Sequence, residues 1–584
     1  MHFRQAVLRV NDKTYHPLPG RANSFDEIYI DFQREPENGG ERYSVFLHPK
    51  EDITVQRLEI QFDVSLPADA RLFANGFQSR SESRVLPVTG GIPRLRRVAR
   101  PYLGFYGDDH IRGIPRGKGY LHSWTWTYAV SRNGIPEIAR PEYHSGVRFW
   151  GSLNESTGFT LFLYDRPNGV LTVRKDMDGL RLTHSFPALD FWTGEGQERD
   201  VFDRYFQTMG TPPPAAPPAT GWTSWYRYFN RISEDILLEN LESFAALEAP
   251  APAYFQIDDG WQTATGDWLS VKPAFPHGMG ALSRNIRGRG LLPGLWLAPF
   301  VAAKNSELVK KHPGWLLKDG KGKPLKAGWN PHWGGWYHAL DFYNNEVRNY
   351  LGGVFHMVLD QWNFELVKLD FLFTACLAPP AGKTRGQVMF EAMEFLRKIA
   401  GAKKILACGV PLGPAFGLAD YCRTGGDIHS AWEHRLPAFL RFRERAGALA
   451  ALRSTLGRWQ LDGRAFRNDP GVAILRRDHQ RLTPEQQQTV LTINALLGSA
   501  LFISDNAGTW APEQKCELEE VFGLRGSLVE GVWELENDVY RIDFGQNGER
   551  FAAFCNLNAS KRGVRIQNDV LELRPFEHII LKTG

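Results

Sequence analysis

From about residue 220 to 510, short apolar runs alternate with helical stretches, and this alternation limits the fold more than any other feature of the chain. Strands are expected at Gly221–Trp225, Tyr254–Asp259, Leu292–Pro299, Glu365–Phe371, Lys404–Val410, Asp420–Asp427, Val472–Leu475 and Ala500–Ser504. Helical patterns fill several of the gaps, as at Ser233–Glu248, Gly386–Ala400 and Thr483–Leu497. Eight strands in such a stretch, each followed by a crossover, fit a (β/α)8 TIM barrel of roughly 250 residues or more.

The flanks read differently. Up to about residue 205, apolar and polar residues alternate in short runs such as Arg57–Phe62 and Gly158–Leu163, with Asn38-Gly39 and Asn168-Gly169 as turn pairs. That pattern is an antiparallel β-supersandwich. Thr211-Pro212-Pro213-Pro214-Ala215-Ala216-Pro217-Pro218 then forms a stiff linker. Past residue 515, Val539–Phe544 and Val564–Ile566 indicate a small C-terminal β-sandwich. The expected division is 1–210, 220–510 and 515–584.

In a barrel, the C-terminal ends of the strands converge on one pocket. Here those ends carry Ser224-Trp225, Asp258-Asp259-Gly260-Trp261, Trp296, Lys368 and Asp370, Cys408-Gly409, and Arg423 with Asp427. Lys368 and Asp370 lie two apart on a strand and so share a face. Two carboxylates, each with a cation beside it and on separate strands, suit glycoside hydrolysis by double displacement. A cation beside Asp370 would favour its charged form. Taken singly, these residues have plainer uses. An Asp-Asp-Gly run is usually a turn, a Lys-x-Asp usually a surface ion pair, and Cys408 most often a small buried hydrophobe. The inference comes from six consecutive strand ends being polar or aromatic together.

Composition narrows the class. A net charge of +4 over 584 residues gives no basis for a nucleic-acid or membrane partner. The 18 Trp and 18 Tyr are high counts, and Trp is a common platform for sugar rings, but any single Trp is more often a core residue. Five scattered cysteines read as reduced thiols. The opening Met1-His2-Phe3-Arg4-Gln5 runs straight into strand alternation without a basic-then-apolar leader, so a cytoplasmic location is expected. No His/Cys/Asp cluster has metal-ligand spacing, and neither a metal nor an organic cofactor is expected.

The strings Gly221-Trp222-Thr223-Ser224-Trp225-Tyr226, Phe255-Gln256-Ile257-Asp258-Asp259-Gly260, Gly294–Phe300, His312-Pro313-Gly314-Trp315, Lys368–Phe373, Cys408–Leu412, Arg423–Asp427 and Asn468-Asp469-Pro470 occur in this order through the whole barrel. Together they resemble glycoside hydrolase family 36, the α-galactosidases, in its short three-domain form. The resemblance implies a retaining exo-acting enzyme that removes terminal α-linked galactose from small galactosides or oligosaccharides. α-N-Acetylgalactosaminidase and raffinose- or stachyose-synthase-like galactosyl transfer are the alternatives within the family, and a non-catalytic sugar-binding barrel lies outside it.

By the same resemblance Asp370 is the nucleophile, Asp427 the acid/base, and Asp258 and Asp259 hold the sugar's 4- and 6-hydroxyls. Trp225, Trp296, Lys368 and Arg423 match sugar contacts, and Cys408 and Gly409 match the pocket lining. One departure stands out. Where relatives carry an Asn-Gly-Trp-Gln-Ser-Trp-like loop reaching the active site, this chain has Asn75-Gly76-Phe77-Gln78-Ser79-Arg80. Arg80 is then expected at the leaving-group side, or else paired with a surface carboxylate such as Glu82.

Overall fold

The computed structural model describes residues 2–131, 146–247, 250, 252–566 and 569–583. The end of the expected helix at Glu248 lies outside the described residues.

Residues His2–Gln197 build two antiparallel sheets of seven and eight strands, packed face to face. Alternation puts one side chain in two into the space between them, where Phe32, Phe62, Trp150, Phe162 and Phe191 form the filling. The hairpin Ile28–Glu37 to Gly40–Pro49 turns on Asn38-Gly39, both at positive φ (47° and 70°), the two-residue turn that matches strand twist.

The barrel strands are β1 (Ala219–Thr223), β2 (Ala253–Ile257), β3 (Leu292–Leu297), β4 (Leu366–Leu369), β5 (Lys404–Ala407), β6 (Tyr421–Arg423), β7 (Arg467–Asp469, resuming at Val472–Ala473) and β8 (Ala500–Ile503). All neighbouring pairs are parallel. The two pieces of β7 pair with β6 on one side and β8 on the other, so Pro470-Gly471 closes the ring. A proline has no N–H to give a ladder, and this is where the strand splits.

The expected strands are all present, but most end a few residues earlier. Trp225 in particular is not on a strand: it opens a short helix, Trp225–Tyr228. Helices start on side-chain caps where the sequence supplies them, with Ser233 before Glu234–Ala245 and capping boxes at Thr384 and Thr483.

The proline-rich stretch 211–218 is seated rather than free. The Tyr421 hydroxyl donates to the Pro217 carbonyl (2.9 Å), Arg467 Nε donates to that of Ala216 (2.8 Å), and Ala216 is buried among Tyr254, Leu366 and Leu406. Beyond the barrel, a four-stranded antiparallel sheet (Leu528–Glu536, Val539–Gln546, Glu549–Asn556, His578–Lys582) faces a two-stranded ladder, with Phe554, Val564 and Leu573 between them. No helix among the described residues is long and apolar enough to cross a membrane.

Candidate active site

A cavity of about 220 Å³ opens at the C-terminal ends of the barrel strands. Asp258, Asp259, Trp225, Trp296, Lys368, Asp370 and Asp427 line it, as strand-end convergence requires. Cys408, Gly409 and Arg423 were also expected at the lining, but they stand behind it. Cys408 is fully buried, and burial pushes its thiol well above the usual range. Gly409 sits at φ +61°, and a Cβ there would lie 3.2 Å from Asp370 Oδ1, so glycine is what lets the nucleophile candidate pack against β5.

The cation pairing differs from the sequence reading. Lys368 Nζ lies 2.7 Å from Asp258 Oδ2, both almost fully buried, and does not pair with Asp370. The shared face of the strand points both side chains inward, but the longer lysine reaches across to β2. Asp258 is held further by the Gln256 side chain (3.0 Å) and by the Asp259 backbone N–H (2.9 Å). Asp370 accepts instead from the Phe371 backbone N–H (2.7 Å) and the Trp296 indole (3.4 Å). Phe371 itself has φ +55°, an uncommon conformation for an aromatic residue and the kind of strain that accumulates at functional sites.

Asp259 accepts from the Gln262 amide (2.6 Å) and the Trp333 indole (2.7 Å). Burial raises it to about 6 against the pull of those two donors. Trp333 belongs to an excursion after β3, a three-stranded antiparallel sheet (Val301–Ala303, Lys326–Asn330, Gly335–Ala339) that brings Trp329, His332 and Trp333 over the mouth. The string Trp329-Asn330-Pro331-His332-Trp333 went unread in the sequence, although two tryptophans around an Asn-Pro turn were the available signal.

Asp427 sits in a cage of donors. Arg423 Nη1 is 2.9 Å from Oδ1, the Tyr226 hydroxyl is 3.2 Å from the same oxygen, and Arg80 Nη2 is paired with Oδ2. Burial alone would raise this carboxyl, but Arg80, Arg423 and Lys368 together hold it well below the usual range. Asp469 on β7 anchors Arg423 from behind (Nε, 3.0 Å). Tyr226 and Asp469 were not among the expected site residues. Glu444, pushed by burial to about 7, also lines the cavity and accepts from the Ser81 hydroxyl (2.5 Å).

Arg80 is the N-terminal sandwich's contribution. It lines the mouth, and its other terminal nitrogen is 3.7 Å from Asp370 Oδ1. Glu82 does not bind it, being taken by Arg445 and Arg453. The loop is locked from below by Arg458, fully buried, whose guanidinium donates to Asn75 Oδ1 (2.9 and 2.8 Å) and to the carbonyls of Gln78, Ser79 and Thr424. Ser79 adds a backbone bond to Val410 just after β5 (2.8 Å). Phe77 turns away from the mouth into the sandwich, edge-on to Trp124 and Phe159.

In fold and site the chain resembles a glycoside hydrolase: paired carboxyls at a barrel mouth, a polar platform opposite them and aromatic walls around. Comparison with known proteins shows what the chain is similar to. Residues 225–384 match the family model described as Melibiase. The α-galactosidase AgaA of Geobacillus stearothermophilus is 31% identical over 121 residues, 20% of this chain and 16% of that protein. An A type blood α-D-galactosamine galactosaminidase of Flavonifractor plautii is 25% identical over 195 residues, 32% of this chain and 17% of that protein.

The alignments thus span only about a sixth of the length of these curated relatives. In three dimensions the likeness is far more extensive. TtGalA, an α-galactosidase from Thermus thermophilus solved with p-nitrophenyl α-D-galactopyranoside, superposes with a TM-score of 0.70 at 27% identity, covering 94% of this chain and 98% of that one. These matches relate the chain to the α-galactosidases of glycoside hydrolase family 36.

Proposed function

We propose that the protein is a retaining α-galactosidase acting on terminal α-linked galactose, with Asp370 as nucleophile and Asp427 as acid/base. The observation that carries this reading is that one guanidinium, Arg80, touches both carboxylates. A bridge through one guanidinium keeps the two carboxylates close enough to act on one glycosidic bond.

In the first step an Asp370 oxygen bonds to the anomeric carbon while the glycosidic bond breaks, and the Asp427 proton passes to the departing oxygen. In the second, Asp427 takes a proton from water as that water displaces Asp370. Asp258, locked by Lys368, and Asp259, with two donors already on it, offer fixed acceptors for adjacent sugar hydroxyls. Charge-assisted bonds of this kind discriminate an axial from an equatorial hydroxyl better than an apolar wall does.

The test is a panel of p-nitrophenyl glycosides together with Asp370→Gly. We expect α-galactoside to be preferred over α-glucoside and α-N-acetylgalactosaminide. The variant should lose about three or more orders of magnitude in kcat, with azide restoring turnover and yielding a β-galactosyl azide. Near-normal activity in Asp370→Gly would refute the nucleophile, and a dominant preference for another sugar would refute the substrate.

A further inference from the structure

The guanidinium of Arg80 lines the cavity mouth against both carboxylates. Its side chain is 14% exposed and that of Asp427 18%, so the pair is largely withdrawn from water. Arg80 reaches Asp427 through Nη2 and approaches Asp370 through Nη1, and its Cζ lies 5.7 Å from the centre of the Phe371 ring. Among the described residues Nε is buried and finds no hydrogen-bond partner. The loop that carries it is pinned by Arg458 and Ser79, so the backbone cannot retreat when the site changes charge.

The proposed reaction does change that charge. To protonate a departing oxygen, Asp427 must first be neutral, and Arg80 then loses its nearer partner. A buried cation left without its partner is costly. Arg423 cannot relieve this, because it is a cation itself and its own partner is Asp469. Asp370 stays 3.7 Å from Nη1 and is consumed as the ester forms. Glu444 lines the same cavity but is engaged by Ser81.

We propose that Arg80 is a specificity-determining residue that selects α-galactosides whose leaving group carries an oxyanion, a carboxylate, sulfate or phosphate, close to the glycosidic oxygen. This rests on the assignment of Asp427 as proton donor. The oxyanion takes Nη2 as Asp427 is protonated and uses the vacant Nε, the planar fork that guanidinium presents to carboxylates and phosphates. When the glycosidic bond breaks, the proton moves from Asp427 to the leaving oxygen. Asp427 is again an anion, and it competes for Arg80 and helps expel the charged product.

The test compares 3-carboxyphenyl and 3-carbamoylphenyl α-D-galactopyranoside, near-isosteric leaving groups of similar acidity that differ in charge. For the full-length protein, kcat/KM should favour the carboxylate by about tenfold or more, as one charge-assisted contact in a buried site allows. Arg80→Gln should bring that ratio to about one whatever happens to the absolute rates, and Arg80→Lys should keep part of it. A ratio near or below one in the unaltered protein would overturn the proposal, as would a ratio unchanged in Arg80→Gln. Should Arg80→Gln fail to fold, the ratio of the unaltered protein still decides. Inertness toward both substrates and toward p-nitrophenyl α-galactoside would overturn the galactosidase reading itself, and the proposal with it.

Discussion

Replacing Lys368 with methionine tests whether the Lys368–Asp258 pair is what fixes the sugar platform. Their atoms are 2.7 Å apart and the side chains are 4% and 3% exposed. At that separation, with an effective dielectric of about 20, the Coulomb attraction is about 6 kcal/mol before desolvation is counted. Much of it offsets the cost of burying both charges, so the pair adds little net stability. Removing one partner is different, because Asp258 keeps its burial cost and loses its compensation. Lys368→Met should therefore destabilise the barrel by about 3–5 kcal/mol at neutral pH.

Asp258→Asn should cost a similar amount, since it leaves Lys368 uncompensated. The double variant Lys368→Met/Asp258→Asn should recover part of the loss, and that coupling energy measures the pair. Urea unfolding followed by tryptophan fluorescence is the assay, since Trp222, Trp261 and Trp296 are buried in the barrel. A single-variant loss below about 1 kcal/mol, or strictly additive losses, would refute the reasoning, because only a solvent-screened pair behaves that way.

Asp427→Ala should slow alkyl α-galactosides by orders of magnitude but slow p-nitrophenyl α-galactoside much less in its first step, since that leaving group needs little protonation; equal slowing of both would assign Asp427 to binding. Arg80→Met should move the alkaline limb of the kcat/KM profile for an alkyl galactoside upward by about one pH unit or more. The proton donor must be protonated, and Arg80 is among the cations, with Arg423 and Lys368, that hold its carboxyl low.

Glu444→Gln should stabilise the protein at pH 8 by up to about 3 kcal/mol and by almost nothing near pH 4.5. The folded state holds the Glu444 proton to about 7. The unfolded chain has already released it, so stability falls as pH rises through that window, and the amide has nothing to release. Thermal melting at the two pH values checks it.

Part of this protein could be read from residues alone. Apolar runs of strand length at regular spacing fixed the eight barrel strands to within a few residues, because burial on both faces of a parallel strand leaves a continuous apolar signature. The turn pair Asn38-Gly39 and the capping threonines Thr384 and Thr483 signal locally, so they too were legible. Asp370, Asp427, Asp258 and Asp259 could be placed at one mouth because strand ends converge in a closed barrel.

Partner choice could be read only where it is local, as in Arg423 with Asp427 four residues on. Lys368 is two residues from Asp370 in the chain, yet its four-carbon stem reaches across to Asp258. Tyr226 bonds Asp427 directly (3.2 Å) and Asp469 reaches it through Arg423, from stretches far apart in sequence. Arg80 comes from a separate sheet more than 300 residues before Asp427. The reason is the range of the forces: hydrophobic periodicity and capping act within a few residues and leave a pattern in the sequence. Ion pairs in a buried site are decided by which side chains the closed barrel and the docked sandwich bring within about 4 Å, and no short-range pattern encodes that.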